Sequence, residues 1–173
     1  MIRMTIPRLQ SERLTLRAPD PSDFDAFAAF RGGARSVYVG GPFDRIAAFN
    51  QFCALWGHWD MRGFGRWIVA ETATDTPVGV VGLFHPEDWP EPELAWSMFD
   101  GSEGKGYAFE AAQAARDHAF GDLNWDRLVS FVSYNNMRSI ALAERLGAER
   151  KRGFTHPTYG QLHCYEHPKT GAV

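Results

Sequence analysis

With 173 residues, 45% hydrophobic and 23% charged, the chain has the size and composition of one ordinary globular domain spanning residues 1–173. A net charge of −3 gives no general affinity for nucleic acid or an anionic membrane, and no apolar run approaches the ~20 residues of a membrane span. The opening Met1-Ile-Arg-Met-Thr5 lacks the pattern of a secretory leader. Two cysteines without motif spacing, Cys53 and Cys164, point to reduced thiols and a cytoplasmic protein.

In chain order, Arg13-Leu-Thr-Leu-Arg17 alternates and predicts a first strand. Asp20-Pro-Ser-Asp-Phe24 carries helix-start chemistry and leads into the apolar run Ala26-Phe-Ala-Ala-Phe30. Glycines at 32–33 and 40–41 break the chain, and a longer helix is predicted over 45–61. Two apolar strands follow, 67–70 and 78–84, joined by a polar turn. After a proline-bounded loop come a strand over 93–99, a helix ending at Phe120, a strand over 127–132 and a short helix over 136–146. A hairpin of 149–154 with 159–166 closes the chain. That order predicts an α/β domain with a mixed, mainly antiparallel seven-stranded sheet and about four helices, its core over 9–166.

The stretch Glu103-Gly-Lys-Gly-Tyr-Ala-Phe-Glu110 carries the first chemical signal. Gly104, Lys105 and Gly106 form a loop feeding a helix whose alanines 108, 111, 112, 115 and 119 recur three and four apart, a smooth face for packing on a sheet. Such a loop points unpaired N–H groups and the positive end of a helix dipole at one spot, an anion site suited to a phosphate or pyrophosphate. The same glycines serve equally as the end of a turn before a packed helix. Two nucleotide motifs are excluded. Gly106 stands where a P-loop needs Ser or Thr, and Phe109 where a dinucleotide fingerprint needs its third glycine.

Met98-Phe-Asp-Gly-Ser-Glu-Gly-Lys-Gly-Tyr-Ala-Phe-Glu-Ala111, followed by Asn136-Met-Arg-Ser-Ile-Ala-Leu-Ala-Glu-Arg-Leu-Gly147, resembles the GNAT superfamily of N-acetyltransferases. The closer likeness is to its ribosomal-protein N-terminal acetyltransferase (RimJ/RimL-like) branch, which Glu12-Arg-Leu-Thr-Leu-Arg17 also resembles. The resemblance implies that predicted strands four and five, 93–99 and 127–132, splay into a V-shaped cleft for acetyl-CoA. By that analogy the amides of Gly104, Lys105, Gly106, Tyr107 and Ala108 hold the pyrophosphate. The backbone of Ser97 and Met98 and the side chain of Asn136 bond the pantetheine arm. Asn136 also reads as a plain helix N-cap.

The implied reaction is direct attack by a primary amine, of a protein N-terminus or a small molecule, on the thioester. At pH 7 an α-amino group of pKa ~7.8 is mostly protonated and must lose a proton first. Glu93, opening the splayed strand, is the candidate general base; it reads equally as a solvated strand-end carboxylate. Glu87, Asp88, Glu91 and His85 are its rivals. Many relatives protonate the leaving thiol with a Tyr where this chain has Ala143. Ser139 is the replacement candidate, against the plainer reading of a Ser bonded to its own helix.

The chain departs from the family in other places. Glu103 stands where Gln or Arg is usual, a negative charge beside the expected pyrophosphate, and Ala148 replaces an aromatic. An acyl-CoA-binding sensor without turnover is therefore the alternative function. Most aromatics from Tyr38 to Trp67 read as core, with one or two left to wall an acceptor pocket. No metal site is expected from His163, Tyr165 and His167. Aromatic-rich surface segments leave room for a homodimer.

Overall fold

The apolar runs at 67–70 and 78–83 are buried on both faces because helices cover the sheet on both sides. The computed structural model describes residues 5–169, so residues 1–4 of the opening read above lie outside them. Strands β1 (Leu9–Gln10), β2 (Leu14–Arg17), β3 (Arg66–Glu71), β4 (Pro77–Phe84), β5 (Glu93–Met98), β6 (Val129–Ser133), β7 (Glu149–His156) and β8 (Gly160–Glu166) form one sheet. Their order is β1-β2-β3-β4-β5-β6-β8-β7. Every neighbouring pair is antiparallel except β5 with β6. The sheet thus has eight strands among the described residues, not the seven expected. The addition is β1, whose two residues pair with Leu16 and Thr15 and are too few to carry an alternation signal.

Four α-helices are present among the described residues: α1 (Phe24–Gly32), α2 (Arg45–Arg62), α3 (Tyr107–Phe120) and α4 (Met137–Arg145). Alternation within β3 divides two cores. Trp67 and Val69 join Leu14, Leu16, Val81 and Leu94 under α3, while Ile68 joins Phe27, Phe30, Phe52 and Val80 under α1 and α2. The α3 alanines 111, 112, 115 and 119 are fully buried, so the helix lies close on the sheet as its small face demands. Its path from β5 to β6 is the crossover that a parallel pair requires.

The Asp20-to-Phe24 stretch starts a helix as expected, through a 3-10 turn over Pro21–Asp23 that leads into α1. Asp20 accepts from the Ser22 amide at 2.9 Å, and Asp23 accepts from the Asp20 amide at 2.8 Å. Arg17 clamps Asp23 through both oxygens at 2.8 and 2.9 Å, fixing the entry to α1 against β2. Asp44 caps α2 by accepting from the Ala47 amide at 2.7 Å, and Gly63 ends it at φ 79°.

Candidate active site

Strands β5 and β6 pair at one position, Glu93 with Val129, and then part. Parting orphans backbone groups, and side chains take their place. The Phe131 amide donates to Glu93 Oε2 at 2.9 Å, and the Ser130 hydroxyl donates to the Leu94 carbonyl at 2.5 Å. On the other edge of β5 the Phe99 amide donates to the Val78 carbonyl. Ladder alternation from that bond turns the backbone of Ser97 towards Val80 in β4, and that of Leu94, Trp96 and Met98 towards the gap. The expected backbone contact at Ser97 is therefore corrected: its amide and carbonyl belong to the β4 ladder. Met98 does face the gap, and its carbonyl accepts from Arg35 Nη1 at 3.1 Å.

At the head of α3, Gly104 and Gly106 have φ of 76° and 79°, the left-handed region that favours glycine. Among the described residues, none of the amides of Gly104, Lys105, Gly106, Tyr107 and Ala108 donates to a protein acceptor. The loop is held from the side instead. Arg13 donates through Nη1 to the Lys105 carbonyl at 3.0 Å and through Nε to Glu110 Oε2 at 2.8 Å. Glu103 is turned to Arg35, 3.6 Å from its Nη1, and that nitrogen also donates to Asp100 at 2.9 Å. Hydrogen bonds from its own loop amides, with the charge of Arg35, hold its carboxyl below the usual carboxylate range. The unwelcome charge expected beside the loop is thus already engaged.

A cavity of about 200 Å³ occupies the gap. Ser97, Asn136 and Ser139 line one end. Asn136 Oδ1 accepts from the Ser139 amide at 3.2 Å, so the cap exists, while its amide NH₂ remains without a protein acceptor among the described residues. Ser139 Oγ accepts from Trp96 Nε1 at 3.1 Å and keeps its own proton to donate. Ala143 is fully buried against Val132, Ala148 and Tyr165; both small residues that depart from the family lie in this one cluster.

Glu93 lines the same cavity and is 6% exposed. Oε1 accepts from Trp89 Nε1 at 2.7 Å and Oε2 from the Phe131 amide. Burial pushes its carboxyl up to about 7, against the opposing pull of those two bonds and the charge of Arg66. Of its rivals, Glu87 reaches Arg62 at 2.9 Å, Glu91 reaches Arg127 at 2.7 Å, and the His85 ring lies 3.2 Å from the Trp89 carbonyl. None of these three lines the cavity; Asp88 does, bonded to His156 Nε2 at 3.0 Å. Of the aromatics assigned to the core, Phe52, Trp59 and Trp67 are buried there, while Tyr38 reaches the cavity and bonds the Asn135 carbonyl at 3.1 Å.

Among the cavity residues that sequence reasoning missed are two charged ones, Arg31 and Arg66. Each carries a visible signal, a guanidinium at the edge of an apolar run: Arg31 after Ala26-Phe-Ala-Ala-Phe30, and Arg66 before Trp67-Ile-Val-Ala70.

A sheet parted beyond a single parallel pair, with a loop of free amides heading the crossover helix, defines an acetyltransferase architecture of the GNAT type. The family model "Acetyltransferase (GNAT) domain" matches residues 13–149, and the chain belongs to that family. An acetyltransferase from Agrobacterium tumefaciens is 38% identical, with a TM-score of 0.88 over 98% of each chain. The spermidine N-acetyltransferase of Vibrio cholerae, solved with CoA and spermine, shares the fold at 18% identity and a TM-score of 0.72, over 89% of this chain and 94% of that one. Bacillus subtilis YkkB, an uncharacterized protein, is 27% identical over 99 residues, 53% of this chain; the match spans 58% of its own length.

Proposed function

We propose that the protein transfers the acetyl group of acetyl-CoA to a primary amine in a ternary complex. The observation that carries this reading is the parting of β5 from β6 with Glu93 set in the opening. The amides of Gly104, Lys105, Gly106, Tyr107 and Ala108 suit the pyrophosphate, since among the described residues they have no protein acceptor and they stand at the head of α3. The Met98 amide and the Asn136 NH₂ suit the pantetheine arm. Bound there, acetyl-CoA supplies an acetyl carbon joined to a good leaving group. Glu93, ionised about half the time near pH 7, takes the ammonium proton. The freed nitrogen bonds to the acetyl carbon as the C–S bond breaks. Ser139 donates its hydroxyl hydrogen bond to the departing sulfur, and the second proton that the nitrogen sheds in becoming an amide goes to that thiolate, which leaves as the thiol, while Glu93 returns the first proton to solvent.

The motif likeness supports placing the chain in the RimJ/RimL-like branch, and its free thiols Cys53 and Cys164 suit the cytoplasm. Ile46, Phe49 and Met61, exposed on α2, are the apolar surface on which a homodimer would form. The test pairs binding with turnover. Acetyl-CoA raises the melting temperature, and an amine panel releases free CoA thiol. Stabilisation without thiol release from any amine replaces this reading with the acyl-CoA sensor.

A further inference from the structure

The cavity carries more positive charge than the transfer reaction needs. Arg31 is 9% exposed, and its Nε is buried without a hydrogen-bond partner. Among the described residues its guanidinium has no acid partner; it lies between the rings of Phe27 and Phe43, 5.3 and 5.2 Å from their centroids. Arg66, on the same cavity, lies 3.9 Å over the Phe84 ring and likewise has no ion pair among the described residues. Several other arginines, among them Arg13, Arg17, Arg35 and Arg127, are paired with carboxylates.

Leaving two guanidinium groups unpaired in a half-dry cavity is costly. Burial pushes both down to about 10, and the charge of Arg31 further depresses Arg66. The acids nearby offset them only in part: Asp88 is bonded to His156, and Glu93, whose charge acts on Arg66, forms no ion pair among the described residues and is bonded to Trp89 and Phe131. An anion arriving with the substrate would complete the charge balance, and a planar guanidinium matches a carboxylate through two parallel bonds.

Resting on the transferase reading above, we propose that the acceptor is a small amine that also carries a carboxylate, an amino-acid-like molecule whose anionic end is held by Arg31 and Arg66 while its nitrogen faces Glu93. The gap of roughly 200 Å³, part of which the acetyl and pantetheine end would take, leaves room only for a small acceptor. A polyamine, which would bring further positive charge to two unpaired arginines, is disfavoured.

The experiment has two arms. In the first, free-thiol release is measured for a panel of α-amino acids, each matched with its carboxamide and its decarboxylated amine, with spermine added. The acid forms are expected to have kcat/KM about a hundredfold or more above their amides, a ratio that Arg31→Gln and Arg66→Gln collapse mainly through KM. In the second, the CoA-saturated protein is titrated calorimetrically with N-acetylglycine and N-acetylglycinamide. Only the carboxylate is expected to bind, and either arginine variant to abolish binding while CoA still raises the melting temperature. Arg31→Lys, which keeps the charge and loses the fork, guards against a folding defect at the more buried site.

Amides, decarboxylated amines or spermine acetylated as well as the acids would overturn this inference and leave the transferase reading intact. Arginine-dependent binding of N-acetylglycine without turnover of any amine would support the anion site and remove the transferase reading. Absence of both turnover and carboxylate binding would overturn the anion site.

Discussion

Replacing Glu93 with Gln removes the proposed base and changes almost no volume. Loss of a positioned general base typically costs ~10²–10⁴ in rate, or about 3–5 kcal/mol of barrier. With the free-enzyme carboxyl pushed up to about 7, kcat/KM for the wild type rises with pH through that value. In Glu93→Gln that acidic limb disappears. Stability moves oppositely. The folded-state pKa is raised from its ordinary 4.5, so the proton is held more tightly in the folded chain than in the unfolded one. This contribution is fully present below about pH 4.5 and is lost as pH rises to about 7, amounting to about 3 kcal/mol at 1.36 kcal/mol per unit. The variant lacks this slope but has one acceptor oxygen for two donors, Trp89 Nε1 and the Phe131 amide, at a cost of about 1–3 kcal/mol. Urea melts from pH 4 to 8, read beside kcat/KM profiles over the same range, measure both effects. A variant that keeps the acidic limb, or loses less than about tenfold in kcat/KM, refutes the assignment and moves it to Asp88.

Three further outcomes are expected. Gly106→Ala places a Cβ on a residue at φ 79°, 3.4 Å from Arg13 Nη2, costing about 1–2 kcal/mol; CoA affinity by calorimetry falls at least tenfold. Ser139→Ala removes the proposed bond to sulfur, so kcat falls about tenfold while the KM for acetyl-CoA stays within about twofold, read by initial rates. Asp23→Ala breaks the Arg17 clamp and the capped turn ahead of α1 together, leaving a largely buried guanidinium with Asp75 as its one remaining carboxylate among the described residues; unfolding free energy in urea drops by about 3 kcal/mol or more.

What could be read before folding was whatever a short window encodes. The alanine spacing of α3 fixes which side meets the sheet, and Gly104 and Gly106 sit where left-handed backbone is required. The two-residue β1 escaped because it has no period to detect. Ser97 went astray for a different reason. Which residues of β5 turn their amides to the gap depends on the register with β4, and a strand in isolation carries no such parity. The pairing of Glu103 with Arg35 joins residues from distant segments, as does the Glu93 bond to the Phe131 amide. Arg31 and Arg66 stand in plain sight, but a lack of partners is a property of the assembled cavity.

The tie between Arg35 and the Met98 carbonyl has a consequence for loading. A ligand amide seeking that oxygen meets a guanidinium already there, so loading would exchange one hydrogen bond for another at that edge of β5. Displaced from it, Arg35 would keep Asp100 at 2.9 Å and Glu103 at 3.6 Å at the rim.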